Sequence, residues 1–135
     1  VHASCVAVAG RGCLIIGASA SGKSSLALSM MGYGATLVSD DRVVLARGET
    51  GIYASAPPSI RGLIEARGIG ILTCEPADSV ALGVVVDMDT EETARLPEAC
   101  TTEFLGVTVT LLRRVDSPYF ASALMQFLKS GRNSP

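Results

Sequence analysis

Eight consecutive residues, Gly17-Ala18-Ser19-Ala20-Ser21-Gly22-Lys23-Ser24, carry the pattern glycine, any four residues, glycine, lysine, serine. That spacing is suited to holding phosphate. The two glycines let the backbone turn until successive N–H groups converge on one concavity. A helix beginning near Lys23 adds the positive end of its dipole, which favours an anion there. Lys23 supplies a point charge for the outer phosphates of a nucleotide, and Ser24 a hydroxyl of the kind that ligates magnesium. The pattern arises by chance roughly once in two hundred chains of this length, so its neighbours must decide the matter. They agree with it. Cys13-Leu14-Ile15-Ile16 reads as a buried strand, and Leu26, Ala27, Leu28, Met30 and Met31 predict a helix that stops at Gly32.

Carboxylates follow at a useful place. Ala35-Thr36-Leu37-Val38 predicts a short strand ending in Ser39, Asp40 and Asp41. A carboxylate at the end of a strand beside a phosphate loop can ligate magnesium or take a proton. The plainer alternative is an aspartate pair opening a turn. Further on, Glu65 and Arg67 stand among glycines and aliphatic residues between Ile60 and Leu72. An unpaired charge in apolar surroundings is costly, so the two are expected to face each other, a cleft or an ion. A salt bridge at a strand entrance would serve equally. His2 is the only histidine and, two residues from the terminus, reads by itself as frayed and inert.

The elements that must position these groups are legible in outline. Ser4 to Ala9 predicts a strand, turned by Gly10-Arg11-Gly12 into the strand that feeds the loop. Val43 to Ala46 and Ile52 to Ala54 flank Gly48-Glu49-Thr50-Gly51 as a second hairpin, and Pro57-Pro58 breaks regular structure. Val80 to Val86, apolar except for Gly83, reads as a central strand. The acidic residues Asp87, Asp89, Glu91 and Glu92 read as a solvated loop, because the spacing of a calcium loop is missing. Val107 to Leu112 predicts another strand. Ser117 as N-cap and Pro118 at the first helical position open a helix to about Ser130, with Phe120, Leu124, Phe127 and Leu128 on its apolar stripe. The tail Gly131 to Pro135 is expected to be disordered.

Composition narrows the classes. At 135 residues and 48% hydrophobic content, the chain is expected to form a single compact domain, 1–135, rather than to be disordered. The net charge of −2, with scattered arginines, argues against a nucleic-acid groove. No apolar run is long enough to span a bilayer, and no basic region followed by a long apolar stretch opens the chain, so neither a membrane partner nor a leader is expected. The four cysteines, Cys5, Cys13, Cys74 and Cys100, lack zinc-ligand spacing and read as reduced thiols in a cytoplasmic protein.

Taken in order, the phosphate loop, Asp40-Asp41-Arg42-Val43, the stretch Ile64-Glu65-Ala66-Arg67-Gly68-Ile69-Gly70-Ile71 and Arg95 make the chain resemble the catalytic domain of HPr kinase/phosphorylase. The likeness covers about the first hundred residues, and by it the chain is expected to be of the short proteobacterial form, without the separate N-terminal domain of the longer enzymes. It implies a mixed α/β phosphate-loop (P-loop) domain of the phosphoenolpyruvate carboxykinase-like type, its sheet fed by hairpins. It implies ATP and Mg2+ as cofactors, transfer to a serine of an HPr-like phosphocarrier protein, and a homo-oligomer, often a hexamer. Residue by residue, it implies that Lys23 and the loop Gly17 to Ser24 grip the phosphates. Ser24, Glu65 and Asp40 would serve the metal, Asp41 would take the serine proton, and His2 and Arg95 would belong to the catalytic site. Two departures stand inside the loop, where family members commonly carry an acidic residue and a glycine and this chain has Ala18 and Ala20. A third lies at Leu112-Arg113-Arg114-Val115-Asp116-Ser117-Pro118, a poor match to the family's basic loop tied to dephosphorylation. A small-molecule phosphotransferase and a non-catalytic, nucleotide-responsive binding module are the rival readings.

Overall fold

The computed structural model, described over residues 1–133, opens on the expected hairpin. Strand β1 (Ala3–Val8) pairs antiparallel with β2 (Arg11–Ile16), and on its other side with β3 (Thr36–Ser39). Between β2 and β3 runs helix α1 (Lys23–Gly32), entered through Gly22 at φ 95. The hairpin β4 (Val44–Arg47) and β5 (Ile52–Ser55) follows, then a 3-10 turn at Pro58–Ile60. A small separate ribbon is made by β6 (Leu63–Ala66) and β7 (Gly70–Thr73). Strand β8 (Ser79–Glu91) is the longest element. It is followed by β9 (Thr101–Phe104), β10 (Val107–Arg114) and helix α2 (Phe120–Ser130).

The main sheet runs β3-β1-β2-β8-β10-β9, with β4 and β5 attached through β5 to the start of β8. Period-two alternation divides its core. Cys13, Ile15, Val84 and Val86 face α1 and α2, where Met30, Leu124 and Leu128 meet them. Leu14 and Val85 face the other way, with Val38, Val43, Ala54 and Val109. Each fully buried aliphatic side chain is worth about 1.5–3 kcal/mol. These central strands therefore form a rigid base.

Strand direction matters most for the site. Strands β2 and β3 are both antiparallel to β1 and so run together, while β8 is parallel to β2 and β10 to β8. Four strands thus deliver their C-terminal ends to one edge of the sheet, the place where open α/β sheets bind ligands.

Three expectations need correction. The acidic run is not a solvated loop: β8 continues through Asp87, Asp89 and Glu91, because Met88 points inward and is 7% exposed while its acidic neighbours face out. Strand β9 was not expected, and it pairs with β10 through a turn at Leu105 (φ 50) and Gly106 (φ 79). Helix α2 starts at Phe120 rather than Pro118; Ser117 and Pro118 lie in a preceding turn, where the Ser117 carbonyl accepts from Phe120 N–H at 3.1 Å. Of the tail, Gly131 to Asn133 are exposed and irregular, and residues 134–135 lie outside the described residues. All four cysteines are free. Burial pushes the Cys5 and Cys13 thiols up, that of Cys13 to about 12, so they act as small apolar groups. Among the described residues, no helix is long and apolar enough to cross a membrane.

Candidate active site

The loop after β2 has the backbone its glycines predict. Gly17 sits at φ 152 and Gly22 at φ 95. A Cβ added at Gly17 would lie 2.6 Å from Ser21 Oγ and 3.1 Å from Met88 Cβ, so only glycine leaves this cradle open. Ala20 also takes a left-handed conformation, φ 65. The resemblance implies a glycine at this position, and the torsion gives a physical reason for one. Lys23 is buried and folds back over the loop: its Nζ donates to the Gly17 and Ala18 carbonyls, each at 2.8 Å. Ser21 Oγ is buried with no hydrogen-bond partner. Such an orphan is uncommon in a folded protein and calls for a specific explanation.

The strand ends supply the rest. Asp40, 7% exposed, closes the inner wall. Its Oδ1 accepts from Ser24 Oγ at 2.6 Å and from Ser4 Oγ at 2.7 Å, and its Oδ2 from the Glu65 N–H at 3.3 Å. Asp41, next in the chain, turns left-handed at φ 72 and faces outward, where its Oδ1 lies 2.8 Å from His2 Nε2. His2 reaches it because β1 is antiparallel to β3, so the start of one strand adjoins the end of the other; Ala3 N–H donates to the Asp41 carbonyl at 3.2 Å. The ribbon β6–β7 brings Glu65 and Arg67 over the same space.

The result is a cavity of about 310 Å³ lined by His2, Ser4, Lys23, Ser24, Asp41, Glu65 and Arg67, together with Ser19, Ala20, Gly22 and Ser25. Glu65 and Arg67 do face a cleft, one of the outcomes their surroundings predicted. Arg95 does not line it; it stands exposed on the connection between β8 and β9. Three residues were not singled out for the site from the sequence: Ser4, Ser25 and Asp89. Asp89 is the most informative. Both its carboxylate oxygens accept from the Ala18 N–H, at 3.0 and 3.1 Å, so an anionic group of the chain already engages the mouth of the loop.

The chemistry of this donor set fits a nucleotide phosphate chain and magnesium. The open cradle at Gly17 and the orphan Ser21 hydroxyl suit phosphate oxygens. Ser24, donating its proton to Asp40, keeps oxygen lone pairs for a cation. Among the described residues no group of three or more acidic, histidine or cysteine side chains could hold a metal by itself. Magnesium commonly takes only one or two protein ligands and completes its shell with phosphate and water.

Known proteins share this chain's family and fold. Residues 1–77 match the model of the HPr Serine kinase C-terminal domain. The chain belongs to this family. It is similar to the HPr kinase/phosphorylase of Caldanaerobacter subterraneus subsp. tengcongensis, 47% identical over 73 residues, which cover 53% of this chain and 24% of the relative. It is also similar to that of Chlorobium phaeobacteroides (strain BS1), 35% identical over 132 residues, covering 87% of this chain and 38% of the relative. The chain therefore spans well under half the length of these relatives. The structure of the Hpr(Ser) kinase/phosphatase from Coxiella burnetii superposes with a TM-score of 0.80 over 96% of this chain and 87% of that one, at 21% identity. The HPr kinase C-terminal fold thus extends past residue 77, through β8, β10 and α2, although the family model stops at β7 and the connection beyond it. The mixed α/β P-loop architecture expected from the sequence is the one found.

Proposed function

We propose that this HPr kinase C-terminal domain is the catalytic part of an ATP-dependent serine kinase that uses Mg2+ and acts on an HPr-like phosphocarrier protein. One observation carries the reading: the carboxylates Asp41 and Glu65 line the same cavity as Lys23 and Ser24. A serine hydroxyl is a weak nucleophile, so a positioned base must take its proton as the new bond forms. Of the two exposed carboxylates that line the cavity, Asp41 and Glu65, Asp41 is the one that His2 holds, by the 2.8 Å contact, and it takes the base role. Asp40 is committed to Ser4, Ser24 and the Glu65 amide and acts as a positioning residue. Lys23 turns from the loop carbonyls to the phosphates, and the freed loop amides share the negative charge of the group in transfer. Ser24 and Glu65 would hold magnesium against the phosphates, and the ion would supply neutralising charge. Arg67 adds a cation at the cavity wall. Arg95 joins the site through movement of its connection or from a neighbouring copy, which suits the hexamer the family resemblance implies. A cytoplasmic location belongs to the same reading.

The test is a transfer assay with labelled ATP and magnesium, offered an HPr-like protein or a mixture of metabolites. Label on a serine of the protein acceptor is the expected result. Label on a metabolite alone would make the domain a small-molecule phosphotransferase. Nucleotide binding with no transfer to either would leave a nucleotide-responsive binding module, a reading that the Asp89 contact at the loop mouth also suits. Inorganic phosphate offered with the phosphorylated acceptor tests the reverse reaction, in which Asp41 acts as the acid.

A further inference from the structure

A second cavity, about 660 Å³, opens on the far side of the junction between the loop and α1. Gly22 and Ser25 line both cavities, so the two spaces meet at the first turn of the helix. The floor of the second follows from sequence spacing. Ser25, Ser29 and Tyr33 stand four residues apart and share one helical face. The two serines are too short to fill the space, and Tyr33, just beyond the last turn, is 58% exposed. About 12 Å of helix separates Ser25 from Tyr33.

The opposite wall is the connection from β10 to α2. Val115 and Pro118 give it an apolar surface, with Met88 and Phe120 beside them. Asp116 and Arg114 provide its polar edge. Arg114 Nε donates to Asp116 Oδ1 at 2.7 Å, and Arg114 Nη1 donates to the Met88 carbonyl at 2.7 Å. The pair is thereby held in place. The hydrogen bond from Arg114 keeps Asp116 below the usual carboxylate range, so near neutral pH it can only accept. Apolar walls, one exposed aromatic ring and a few fixed polar groups are the makeup of a small-molecule site, and the volume is within the usual span.

The placement of charge decides which end of a bound nucleotide lies where. The first cavity holds Asp41 and Glu65 and must admit the acceptor hydroxyl, so the reacting phosphate points there. The rest of the molecule then leaves across Ser25. We infer that the second cavity receives the nucleoside half of the nucleotide, with the base against Tyr33 and its N–H donors toward Asp116. This inference rests on the phosphate-loop reading and adds to it a seat for the base.

Calorimetric titration of the full chain tests it, with magnesium-ATP and magnesium-tripolyphosphate as separate probes. Stacking of a base on an aromatic ring is worth about 1–3 kcal/mol, so ATP should bind at least about fivefold more tightly than tripolyphosphate. Ser29→Trp fills the cavity from an exposed position; it should abolish that advantage and leave tripolyphosphate binding unchanged, which also shows that the variant is folded. The chain contains no tryptophan. Tyr33→Trp therefore supplies a single reporter whose emission ATP should quench and tripolyphosphate should not. Undiminished ATP affinity in Ser29→Trp would overturn the assignment of this cavity while the loop reading stood. Failure of the unmodified chain to bind either probe would overturn both.

Discussion

Asp40 lies 7% exposed at the end of β3 with three donors on its oxygens, whereas the side chain of Asp41, one residue on, is 68% exposed and meets only His2. The left-handed turn at Asp41 sends the two carboxylates to different sides of the backbone. Such a turn costs a residue with a Cβ roughly 1 kcal/mol, and aspartate tolerates it better than most. Neighbouring residues of one type thus take opposite tasks. The inner carboxylate ties β1, α1 and the β6–β7 ribbon together, while the outer one keeps an oxygen available to a visitor. Composition and spacing alone cannot separate such a pair; the backbone torsion between them does.

Substitutions can break or sharpen that contrast. The largest effect should come from Asp41→Asn. Loss of a positioned base lowers transfer by about 10²–10⁴-fold, so labelled-phosphate transfer should nearly vanish. Binding of ATP should persist, and the unfolding free energy from chemical denaturation should change by no more than about 0.5 kcal/mol. Normal turnover would take the base role from Asp41. Asp40→Ala should do the reverse in stability. It strands two hydroxyls and an amide, and chemical denaturation should show a loss of about 2–4 kcal/mol. A loss no larger than that of Asp41→Asn would erase the distinction between inner and outer carboxylate. Asp89→Asn extends the contrast to the loop. Removing a negative charge from the Ala18 amide should tighten tripolyphosphate binding about fivefold, near 1 kcal/mol on titration. Weaker binding would mean that Asp89 shapes the loop for its ligand instead of competing with it. The smallest effect is expected from Ala20→Gly, which relieves a left-handed alanine at some cost in chain entropy. A stabilisation below about 1 kcal/mol should appear, with phosphate affinity unchanged.

The sequence made the inner architecture readable because it was written in strong local signals. Apolar alternation marked β1, β2 and the heart of β8, and the glycine spacing marked the loop and the start of α1. Grouping of His2, Asp41 and Glu65 came from family resemblance, since nothing local says that a histidine at the chain's start adjoins residue 41. Asp89 escaped because a run of acidic residues looks solvated unless one notices that Met88 interrupts it with period two. Strand β9 escaped because its turn places Leu105, a poor left-handed residue, where an asparagine would have signalled a hairpin. Helix α2 was placed two residues early because Ser-Pro is an N-terminal signal for a turn as well as for a helix.

The partnership of β2 with β8 has a consequence for synthesis. Ala18 and Asp89 are 71 positions apart, and the strands that carry their segments are hydrogen-bonded neighbours. At ribosomal speeds of about 5–20 residues per second, the glycine loop emerges roughly 4–14 seconds before the strand that flanks it. Through that interval β2 has β1 on one side and a bare edge on the other, open to pairing with any extended segment nearby.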